Sequence, residues 1–492
     1  MKTLFSITLL MFCLYLNPLL AQEEIAASSM ELKEFKSTIS IPIVDNEQNI
    51  HIFSVSKNIL IDQEITHIKY NPTTNTIIKK EYPTPSTITL KYITGIEVDS
   101  DNNINLYFHN KAKGEFNSIG INNEGKLEYN TFKLPLKKEK VIHYVSHKNN
   151  FKMLTVKRNG SVIHVYSFKG NSYEKNSFDF SQDRFYDKET KLTTLDDIIS
   201  TSSLESISQE MPSQASTYSS RRKFYNLKDK IIITLNHHKN GTRILNLDLN
   251  KNVGKTDYIA LPRTHFKAED WTKSNSYIFE GNLYSIITSN KLMVINIKNI
   301  ETKETIKEFI YKGDEELAFQ LSKTLGSVLV VVSTTINSSK TKIKKAKTFF
   351  KRFIMSTYSG IGAFKKGNHL ILSIGGYVPP SGGGYMTFGG ASSSTIAGPN
   401  GPITITNGAS SFIGNSSGPV SSSGFEKLLV LDSDNYEVIE NESENNIYED
   451  VDSFSEKIKG LQLKSLFKYK DYYVFGYFNK KEKTYHLVKF NE

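Results

Sequence analysis

Two glycine-rich stretches match patterns that bind or activate reactive groups. Gly414-Asn415-Ser416-Ser417-Gly418 fits the G-x-S-x-G pattern, in which a nucleophilic serine occupies a sharp turn between a strand and a helix. Both flanks here are low-complexity Gly/Ser sequence, so neither element is expected. Residues 362–367 have the glycine spacing of a phosphate-binding loop, but Asn368 stands where that loop needs lysine. The sequence therefore predicts no catalytic residue in either stretch.

One acidic run has the spacing that opens a calcium-binding loop. Asp99, Asp101 and Asn103 are each two residues apart. Such a loop needs a glycine at its sixth position and a bidentate glutamate at its twelfth. Ile104 and Asn110 occupy those positions here. We therefore interpret this run as a polar turn whose side chains bond to the turn's own backbone.

Two histidine pairs were considered as metal ligands. They are His143/His147 and His237/His238. Adjacent residues of a strand point to opposite faces of the sheet, and no carboxylate or thiolate pattern accompanies either pair. We predict structural roles for these histidines, and the sequence indicates no metal or other cofactor.

The basic stretch at 336–355 is the strongest candidate for a binding surface. Its cations are Lys340, Lys342, Lys344, Lys345, Lys347, Lys351 and Arg352. Apolar residues recur there at helical spacing, at Ile343, Ala346, Phe350, Phe353 and Ile354. Each cation near an anionic membrane contributes about 1 kcal/mol, which predicts contact with an anionic surface. In the alternative interpretation, the aromatic face packs on the protein and the lysines are solvated.

The N-terminus has the features of a secretory signal. Lys2 precedes an apolar run at 4–16, and Ala21 suits cleavage before Gln22. We predict a signal peptide at 1–21, export to the periplasm, cell surface or exterior, and a disordered lead at 22–32. The one cysteine, Cys13, lies in the signal, so a cysteine-free mature chain forms no disulfide and performs no thiol chemistry.

A turn-then-strand unit recurs along the chain and predicts the fold. In one example, Gly281-Asn282 and Ser289-Asn290 are turn residues between apolar strands rich in β-branched side chains. The first strand residues of the units are 50, 104, 151, 231, 283, 328, 370 and 472. They lie 42–54 residues apart once 188–222 and 377–424 are set aside. This period suits a four-stranded propeller blade, whose faces must be buried by neighbouring blades.

We therefore predict an all-β protein with one β-propeller domain at 33–492. It has seven or eight four-stranded blades, seven if the unit marked by Val328 merges with the next. The chain ends in a third strand at 485–490, so an early strand around 37–41 is expected to close the ring. Closure protects strand edges that otherwise invite aggregation.

Three insertions interrupt the repeat. They are the Ser-rich segment 188–222, the basic segment 336–355 and the Gly/Ser/Pro-rich loop 377–424. The first follows a fourth strand, whereas the other two follow second strands. In an up-and-down blade, the connection after the second strand and the connection after the fourth strand lie on the same face. We therefore expect all three insertions on one face of the propeller.

One unit resembles a kelch repeat. Residues 370–376 form an apolar run that ends in Gly375-Gly376, and residues 428–432 supply a second apolar run after the insertion. The resemblance implies a propeller of the kind used mostly for protein or glycan binding. It covers this unit alone, and the other units lack the double glycine, so no family is assigned.

These observations favour a binding role over a catalytic one. The chain has 61 Lys and Arg against 51 Asp and Glu, a net charge of +10, which suits acidic partners. We expect a scaffold that binds a protein, a glycan or an anionic surface through the loop-bearing face, with no nucleic-acid partner. The alternative is a periplasmic or cell-surface enzyme acting on a glycan or small ester from a central pocket. A filled channel would favour the scaffold, and a deep axial pocket the enzyme.

Overall fold

The computed structural model describes most of the chain. The described residues are 22–31, 40–57, 63–84, 93–110, 114–147, 149–187, 190–200, 204–227, 229–238, 240–267, 270–315, 320–321, 346–378, 393–398, 401–406, 423–439 and 447–491. The predicted signal peptide at 1–21 lies outside them, as do Gly414 to Gly418 and the unit marked by Val328. The protein is all-β, with 60% strand and 8% helix.

The strands form four-stranded antiparallel sheets, numbered here as blades in chain order. The first strand, β1 (Gln22–Ser29), precedes blade 1. Blade 1 contains β2 (Ser40–Val44), β3 (Ile50–Lys57), β4 (Gln63–Asn71) and β5 (Thr76–Pro83). Blade 2 contains β6 (Gly95–Val98), β7 (Ile104–Asn110), β8 (Glu115–Ile121) and β9 (Leu127–Lys133). Blade 3 contains β10 (Glu139–His147), β11 (Asn150–Lys157), β12 (Val162–Lys169) and β13 (Ser172–Asp179).

The middle of the chain adds a hairpin and two more blades. The hairpin pairs β14 (Phe185–Tyr186) with β15 (Leu192–Thr193). Blade 4 contains an extra strand, β16 (Glu205–Ile207), followed by β17 (Arg222–Asn226), β18 (Lys230–Leu235), β19 (Gly241–Asp248) and β20 (Val253–Ala260). Blade 5 contains β21 (Lys273–Phe279), β22 (Asn282–Thr288), β23 (Leu292–Asn299) and β24 (Thr305–Lys312).

The last two blades recruit strands from distant parts of the chain. Blade 6 has the spatial order β25 (Gln320–Leu321), β30 (Ser423–Asp432), β27 (His369–Val378), β26 (Tyr358–Lys366). Its outer strand therefore precedes the other three in sequence. Blade 7 contains β31 (Leu461–Tyr469), β32 (Tyr472–Asn479) and β33 (Thr484–Asn491). A hairpin of β28 (Ser393–Gly398) and β29 (Gly401–Thr406) joins its inner edge, where β29 pairs with β31 in parallel.

Short helices occur in the connections between strands. They are α1 (Leu195–Ile199), α2 (Ala215–Tyr218), α3 (Ala346–Phe349) and α4 (Ile447–Ser455), with a 3-10 turn at Arg263–His265 and a π-helical turn at Phe350–Ile354. Thr194 caps α1 through a reciprocal bond with Asp197, which satisfies backbone donors at the helix start. None of the helices in the described part of the chain is long and apolar enough to cross a membrane.

Burial identifies which strand of each blade faces the axis. Strands β2 and β6 are buried at nearly every position, whereas β5, β9 and β13 expose most residues. The first strand is therefore innermost and the fourth is outermost. Apolar clusters join neighbouring blades. The pairs that share a cluster are Phe53 with Ile96 (blades 1 and 2), Phe116 with Phe151 (2 and 3), Val156 with Phe224 (3 and 4), Tyr225 with Ile286 (4 and 5), and Ile50 with Val474 (1 and 7). The last pair joins blade 1 to blade 7, so the blades form a ring. The predicted β-propeller is confirmed, with seven blades in the described residues.

The strand that closes the ring differs from the prediction. β1 (Gln22–Ser29) pairs antiparallel with β33 and forms the outermost strand of blade 7. The prediction of a disordered lead at 22–32 is therefore wrong for 22–29, and the strand expected around 37–41 is instead β2, the inner strand of blade 1. The polar composition misled the prediction because an outermost strand is exposed on most positions, including Glu23 and Glu24.

The turns between first and second strands gather on one face, which we call the turn face. Asn149 Nδ2 of blade 3 donates to Asn46 Oδ1 of blade 1 (2.8 Å), and Lys365 of blade 6 pairs with Glu280 of blade 5 (2.6 Å). The hairpin between β21 and β22 has positive φ at Glu280 and Gly281 (45° and 76°). The two turn residues with positive φ are thus Glu280 and Gly281, one residue earlier than the predicted Gly281-Asn282, and Asn282 begins β22.

The insertions leave from the opposite side, the insertion face. Segment 188–222 links the outer strand of blade 3 to β17, and 377–424 connects β27 to β30, as the strand order predicted. Segment 336–355 was expected to follow a second strand, and this stays a prediction because 322–345 lie outside the described residues. Its described part, α3 and the π-helical turn, lies between β25 and β26, the outer and inner strands of blade 6. The backbone amide of Lys347 donates to the backbone oxygen of Gly313 at the end of blade 5 (3.0 Å), so this part lies on the insertion face.

Candidate functional site

The central channel of the propeller is occupied by the chain itself. Strand β16 pairs in parallel with β17, the innermost strand of blade 4, and so lies on the axial side of that blade. Residues 204–220, which we call the plug, continue from β16 through α2 and return to the start of β17. Because β16 and β17 run in parallel, the plug travels along the channel toward the turn face and back.

The plug bonds to blades on several sides of the channel. His143 of blade 3 shares a hydrogen bond with Ser206 (Nε2 to Oγ, 2.7 Å), and Tyr277 of blade 5 shares one with Ser213 (2.9 Å between hydroxyls). The Tyr448 hydroxyl on α4 donates to the backbone oxygen of Pro212 (2.6 Å). These bonds come from widely separated parts of the sequence, so they hold the plug within the completed ring.

Blade 6 contacts the plug without intervening side chains. An added Cβ at Gly360 would lie 2.6 Å from Ser219 Cα and 2.6 Å from the Tyr218 backbone oxygen. At Gly362, an added Cβ would approach the Tyr218 ring at 3.1 Å. The Tyr218 side chain is fully buried. The inner strand of blade 6 therefore needs glycine where the plug backbone passes.

One amide side chain joins the end of the plug to blades 4, 5 and 6. Asn275 Nδ2 donates to the backbone oxygens of Ser219 and Ser359, each at 2.9 Å. Asn275 Oδ1 accepts from Lys223 Nζ at 2.6 Å. The side chain is buried and uses both of its polar atoms, so it fixes the three inner strands around the channel mouth.

Cations and aromatic rings collect at this mouth, on the insertion face. We call them the mouth cluster: Arg221, Arg222, Lys223, Trp271, Lys273 and Tyr358. The Lys273 ammonium lies 5.7 Å from the Trp271 ring centroid and donates to the backbone oxygen of Thr357. Trp271 and Tyr358 are 66% and 51% exposed, respectively. The cluster thus presents flat rings and positive charge to solvent at one place.

Within the mouth cluster, the charge of Arg221 opposes the charges of Arg222 and Lys273. Burial, followed by the nearby charge of Arg221, lowers the pKa of Arg222 to about 10 and lowers the pKa of Lys273. Burial lowers the pKa of Lys223 well below its usual range, with Glu205 acting in the opposite direction. Among the described residues, no carboxylate forms an ion pair with Arg221 or Lys273. An anion bound here would therefore relieve an existing repulsion.

Sequence reasoning did not select the mouth cluster. Trp271 is the only tryptophan of the chain, and Arg221, Arg222 and Lys223 are consecutive, so both signals were visible. Lys273 lies on a different blade from these three residues, and its proximity to Arg221 follows only from the packing of inner strands around the axis.

The basic stretch predicted from the sequence is described only in part. Lys340, Lys342, Lys344 and Lys345 lie outside the described residues, and so does the Arg352 side chain. Lys347 and Lys351 are exposed on the insertion face. Phe349, Phe350 and Ile354 are buried in the core shared by blades 4, 5 and 6. This matches the alternative interpretation for the described part, while contact of the cations with an anionic surface stays a prediction.

The polar turn at Asp99 is held by its own side chains, as interpreted. Asp99 Oδ1 accepts from the backbone amides of Asp101 and Asn103, each at 2.9 Å. Asp99 Oδ2 accepts from Asn103 Nδ2, also at 2.9 Å. Both carboxylate oxygens are therefore used within the turn.

The histidines considered as ligands have separate surroundings. His143 is buried against Phe224, and His237 shares a bond with the backbone oxygen of Tyr186 (2.6 Å). In the described ranges, no three His, Cys, Asp or Glu side chains converge in a way that could hold a metal ion.

A buried histidine relay lies in blade 1 and consists of Asp45, His51 and His67. His51 Nε2 is 3.0 Å from Asp45 Oδ2, and His51 Nδ1 is 2.8 Å from His67 Nε2. His67 stacks on Phe53 with ring centroids 4.4 Å apart. Burial lowers the pKa of both histidines, which favours their neutral forms. All three polar side chains are nearly inaccessible, so the relay stabilises blade 1.

Acid should destabilise the protein through His143, whose pKa burial lowers to about 3. Unfolded histidine titrates near 6.5, so below that pH the unfolded chain binds more protons and the free energy of unfolding falls. Between pH 7 and pH 5, His143 alone should remove about 2 kcal/mol, and the full loss is reached near pH 3. Urea unfolding at both pH values measures this. The drop in unfolding free energy from pH 7 to pH 5 should be about 2 kcal/mol smaller for His143→Asn than for the unchanged protein.

Ser206→Ala is the matched control for this titration, because it removes the hydroxyl partner and keeps the buried imidazole. Its pH dependence should equal that of the unchanged protein. If the unfolding free energy of His143→Asn depends on pH as strongly as that of the unchanged protein, the effect does not come from His143.

A cleft on the turn face separates blades 6 and 7. It is lined by Pro212, Phe364, Lys365, Lys366, Ile447, Asp450, Tyr473 and Asn491 and has a volume of about 20 Å³. This is enough for about one water molecule. The cleft is therefore too small to serve as a substrate pocket.

Comparisons with known proteins show distant structural similarity alone. No protein-family profile matches the chain, and no curated protein sequence matches it. A mutant apocarotenoid oxygenase of Synechocystis is 10% identical with a TM-score of 0.29, covering 57% of this chain and 63% of the oxygenase chain. A chimera of ACO and RPE65 has 9% identity, a TM-score of 0.31 and the same coverages. The WD40 domain of SCAP from fission yeast has 11% identity and a TM-score of 0.28, covering 96% of this chain and 98% of that domain. Similarities at these scores support no functional comparison.

Proposed function

We propose that this protein is an exported binding scaffold that holds an acidic partner on its insertion face, with the mouth cluster at the centre of the contact. The observation that carries the proposal is the exposed Arg221 and half-buried Lys273, which lie with the exposed rings of Trp271 and Tyr358 at the mouth of a filled channel. Export is inferred from the predicted signal peptide at 1–21. A mature chain without cysteine suits this setting, because its stability depends on blade packing rather than on disulfides.

The occupied channel supports binding over catalysis. The alternative enzyme would act on a glycan or small ester from a pocket on the axis, where substrate is enclosed and acid or base groups converge. In the described part of the chain, the plug passes through that position and bonds to blades 3 and 5 and to α4. Among the described residues, the surface around the plug on the insertion face carries exposed cations and the exposed rings of Trp271 and Tyr358.

The charge pattern supports an acidic partner. Arg221 and Lys273 lie on blades 4 and 5, and Lys347 and Lys351 lie in the segment before β26, so cations from three parts of the chain occur on the insertion face. Such a field attracts anionic partners and accelerates their association. Phe349 and Phe350 are buried, so among the described side chains of the basic stretch the exposed ones are Lys347 and Lys351.

Replacing two mouth cations should weaken binding to a polyanion. We expect Arg221→Gln with Lys273→Gln to reduce the affinity for labelled poly-L-glutamate about 5- to 30-fold, because each exposed ion pair contributes up to about 1 kcal/mol. Fluorescence anisotropy with the mature chain measures this, and the difference should shrink as NaCl screens the charges.

The matched control is Lys126→Gln with Lys169→Gln, which removes the same charge from exposed turns between third and fourth strands on the turn face. Its affinity should stay close to that of the unchanged protein. Equal weakening by the two double variants would show that net charge alone determines binding, and would contradict the proposed face.

A further inference from the structure

We infer that the mouth cluster binds an acidic saccharide, with a sugar ring packed on the Trp271 indole and its negative groups held by Lys273 and Arg221. This inference rests on the proposed function and names the chemical class of the partner. It concerns residues outside the basic stretch 336–355, and it assigns a separate role to the ring and to the cations.

The position of Trp271 is set by its neighbours, while its ring stays open to solvent. Arg263 Nη1 donates to Thr272 Oγ1 at 2.8 Å, and Lys273 Nζ donates to the backbone oxygen of Thr357. These bonds hold the residues that follow Trp271 at the start of β21. The indole is 66% exposed, although it is the largest apolar side chain available for burial. The strand pairing of β21 begins at Lys273, opposite Thr288. An exposed indole two residues before a paired strand is suited to stacking with a ligand.

The two kinds of group at the site match two features of one ligand. The C–H face of a pyranose ring is apolar and weakly positive, so it packs on the electron-rich face of an indole. The carboxylate or sulfate of an acidic sugar projects from the edge of the ring, and Arg and Lys donors bind such groups. The Lys273 ammonium lies over one face of the indole, 5.7 Å from the ring centroid. A sugar would therefore pack on the opposite face and direct its negative group past the ring edge toward the ammonium.

Other acidic partners fit the cluster less well. A membrane surface would need a contiguous apolar face to enter the interface. Of the apolar side chains described in the adjacent helix, Phe349, Phe350 and Ile354 are buried in the core. An acidic peptide would use the cations but has no flat C–H face for the exposed indole. A neutral sugar would use the indole and leave the repulsion between Arg221 and Lys273 in place.

The single tryptophan makes the test direct, because intrinsic tryptophan emission reports on residue 271 alone. The mature chain is titrated with a galacturonic acid hexasaccharide, with maltohexaose, with sodium sulfate, and with vesicles containing 30% anionic lipid. We expect a saturable change in emission with the acidic hexasaccharide and none with the other three additions at matched concentration and ionic strength.

Variants separate the ring from the charges. By calorimetry, Trp271→Ala should weaken hexasaccharide binding at least 10-fold, whereas Trp271→Phe, which keeps an aromatic face, should stay within about 3-fold. Arg221→Gln with Lys273→Gln should weaken binding at least 10-fold, and Lys126→Gln with Lys169→Gln should not. Thermal melting confirms that each variant is folded.

Several results would overturn the inference. Equal binding of maltohexaose would remove the role of charge, and a response to vesicles without a response to the hexasaccharide would identify a membrane instead. Full affinity in Trp271→Ala would remove the role of stacking. If poly-L-glutamate binding still depends on Arg221 and Lys273 in those cases, the saccharide inference fails while the proposed function stands. If that dependence is also absent, both fail.

Discussion

A mature chain that starts at residue 31 instead of residue 22 should lose about 5 kcal/mol of unfolding free energy. The missing strand, β1, forms seven residue pairs with β33, from Gln22 with Phe490 to Ser29 with Thr484. Backbone hydrogen bonds contribute about 1 kcal/mol each after solvent exchange. The deletion also exposes the apolar face covered by Ala26 and Met30. For a chain of this length, the loss corresponds to a melting temperature lower by roughly 5 °C.

A synthetic peptide of residues 22–31 should restore the melting temperature when added to the shortened chain. The peptide with Ala26→Asp is the control, since it places a carboxylate at a position that is buried against blade 7. Calorimetric melting with each peptide measures the effect. Unchanged stability of the shortened chain, or equal rescue by both peptides, would contradict closure of the ring by β1.

The substitution Gly360→Ala should destabilise the protein by about 3 kcal/mol, which is large for the addition of one methyl group. The new Cβ would meet three backbone atoms of Tyr218 and Ser219 at 2.6–2.7 Å, and none of them belongs to a flexible side chain. Either blade 6 or the plug must therefore move. Urea unfolding measures the loss, and hydrogen exchange in 215–219 should increase because the plug is displaced.

Gly160→Ala is the control for this substitution. The three atoms nearest to its added Cβ all belong to the Lys157 side chain, the closest at 3.3 Å, and that side chain can move into solvent. We expect a change within about 0.5 kcal/mol. If Gly360→Ala is equally mild and exchange in 215–219 stays unchanged, the plug does not lie against blade 6.

The repeat of strands was predictable because it depends on local chemistry. Alternation of apolar residues and turn residues at regular spacing is determined by each blade's own sequence, and Asn102, Asn149 and Gly367 adopt the positive φ that tight turns need. The outer strand of blade 6 was not predictable from that pattern. β25 precedes the other strands of the blade in sequence and pairs with β30, which lies far along the chain. A repeat of neighbouring residues does not predict such a distant pairing.

The burial of the plug could not be predicted from its local sequence. Its sequence is rich in Ser and polar residues, which is typical of an exposed loop, and it was predicted as an insertion on one face. The segment does leave from that face, but Tyr218 and Ser219 are buried because the inner strands of other blades supply partners for its polar groups. Burial of a polar segment is stable only when such partners exist, and they exist only after the ring has closed.

The amino-acid sequence by itself determined the repeating blade, the sites of the insertions at 188–222 and 377–424, and the excess of positive charge. Each of these is a property of neighbouring residues or of composition. The tertiary structure alone decided that β1 closes the ring, that 204–220 fills the channel, and that Lys273 lies beside Arg221. The physical reason is the same in all three cases, because strand pairing, polar satisfaction and charge proximity depend on distance in space between segments that are far apart in sequence.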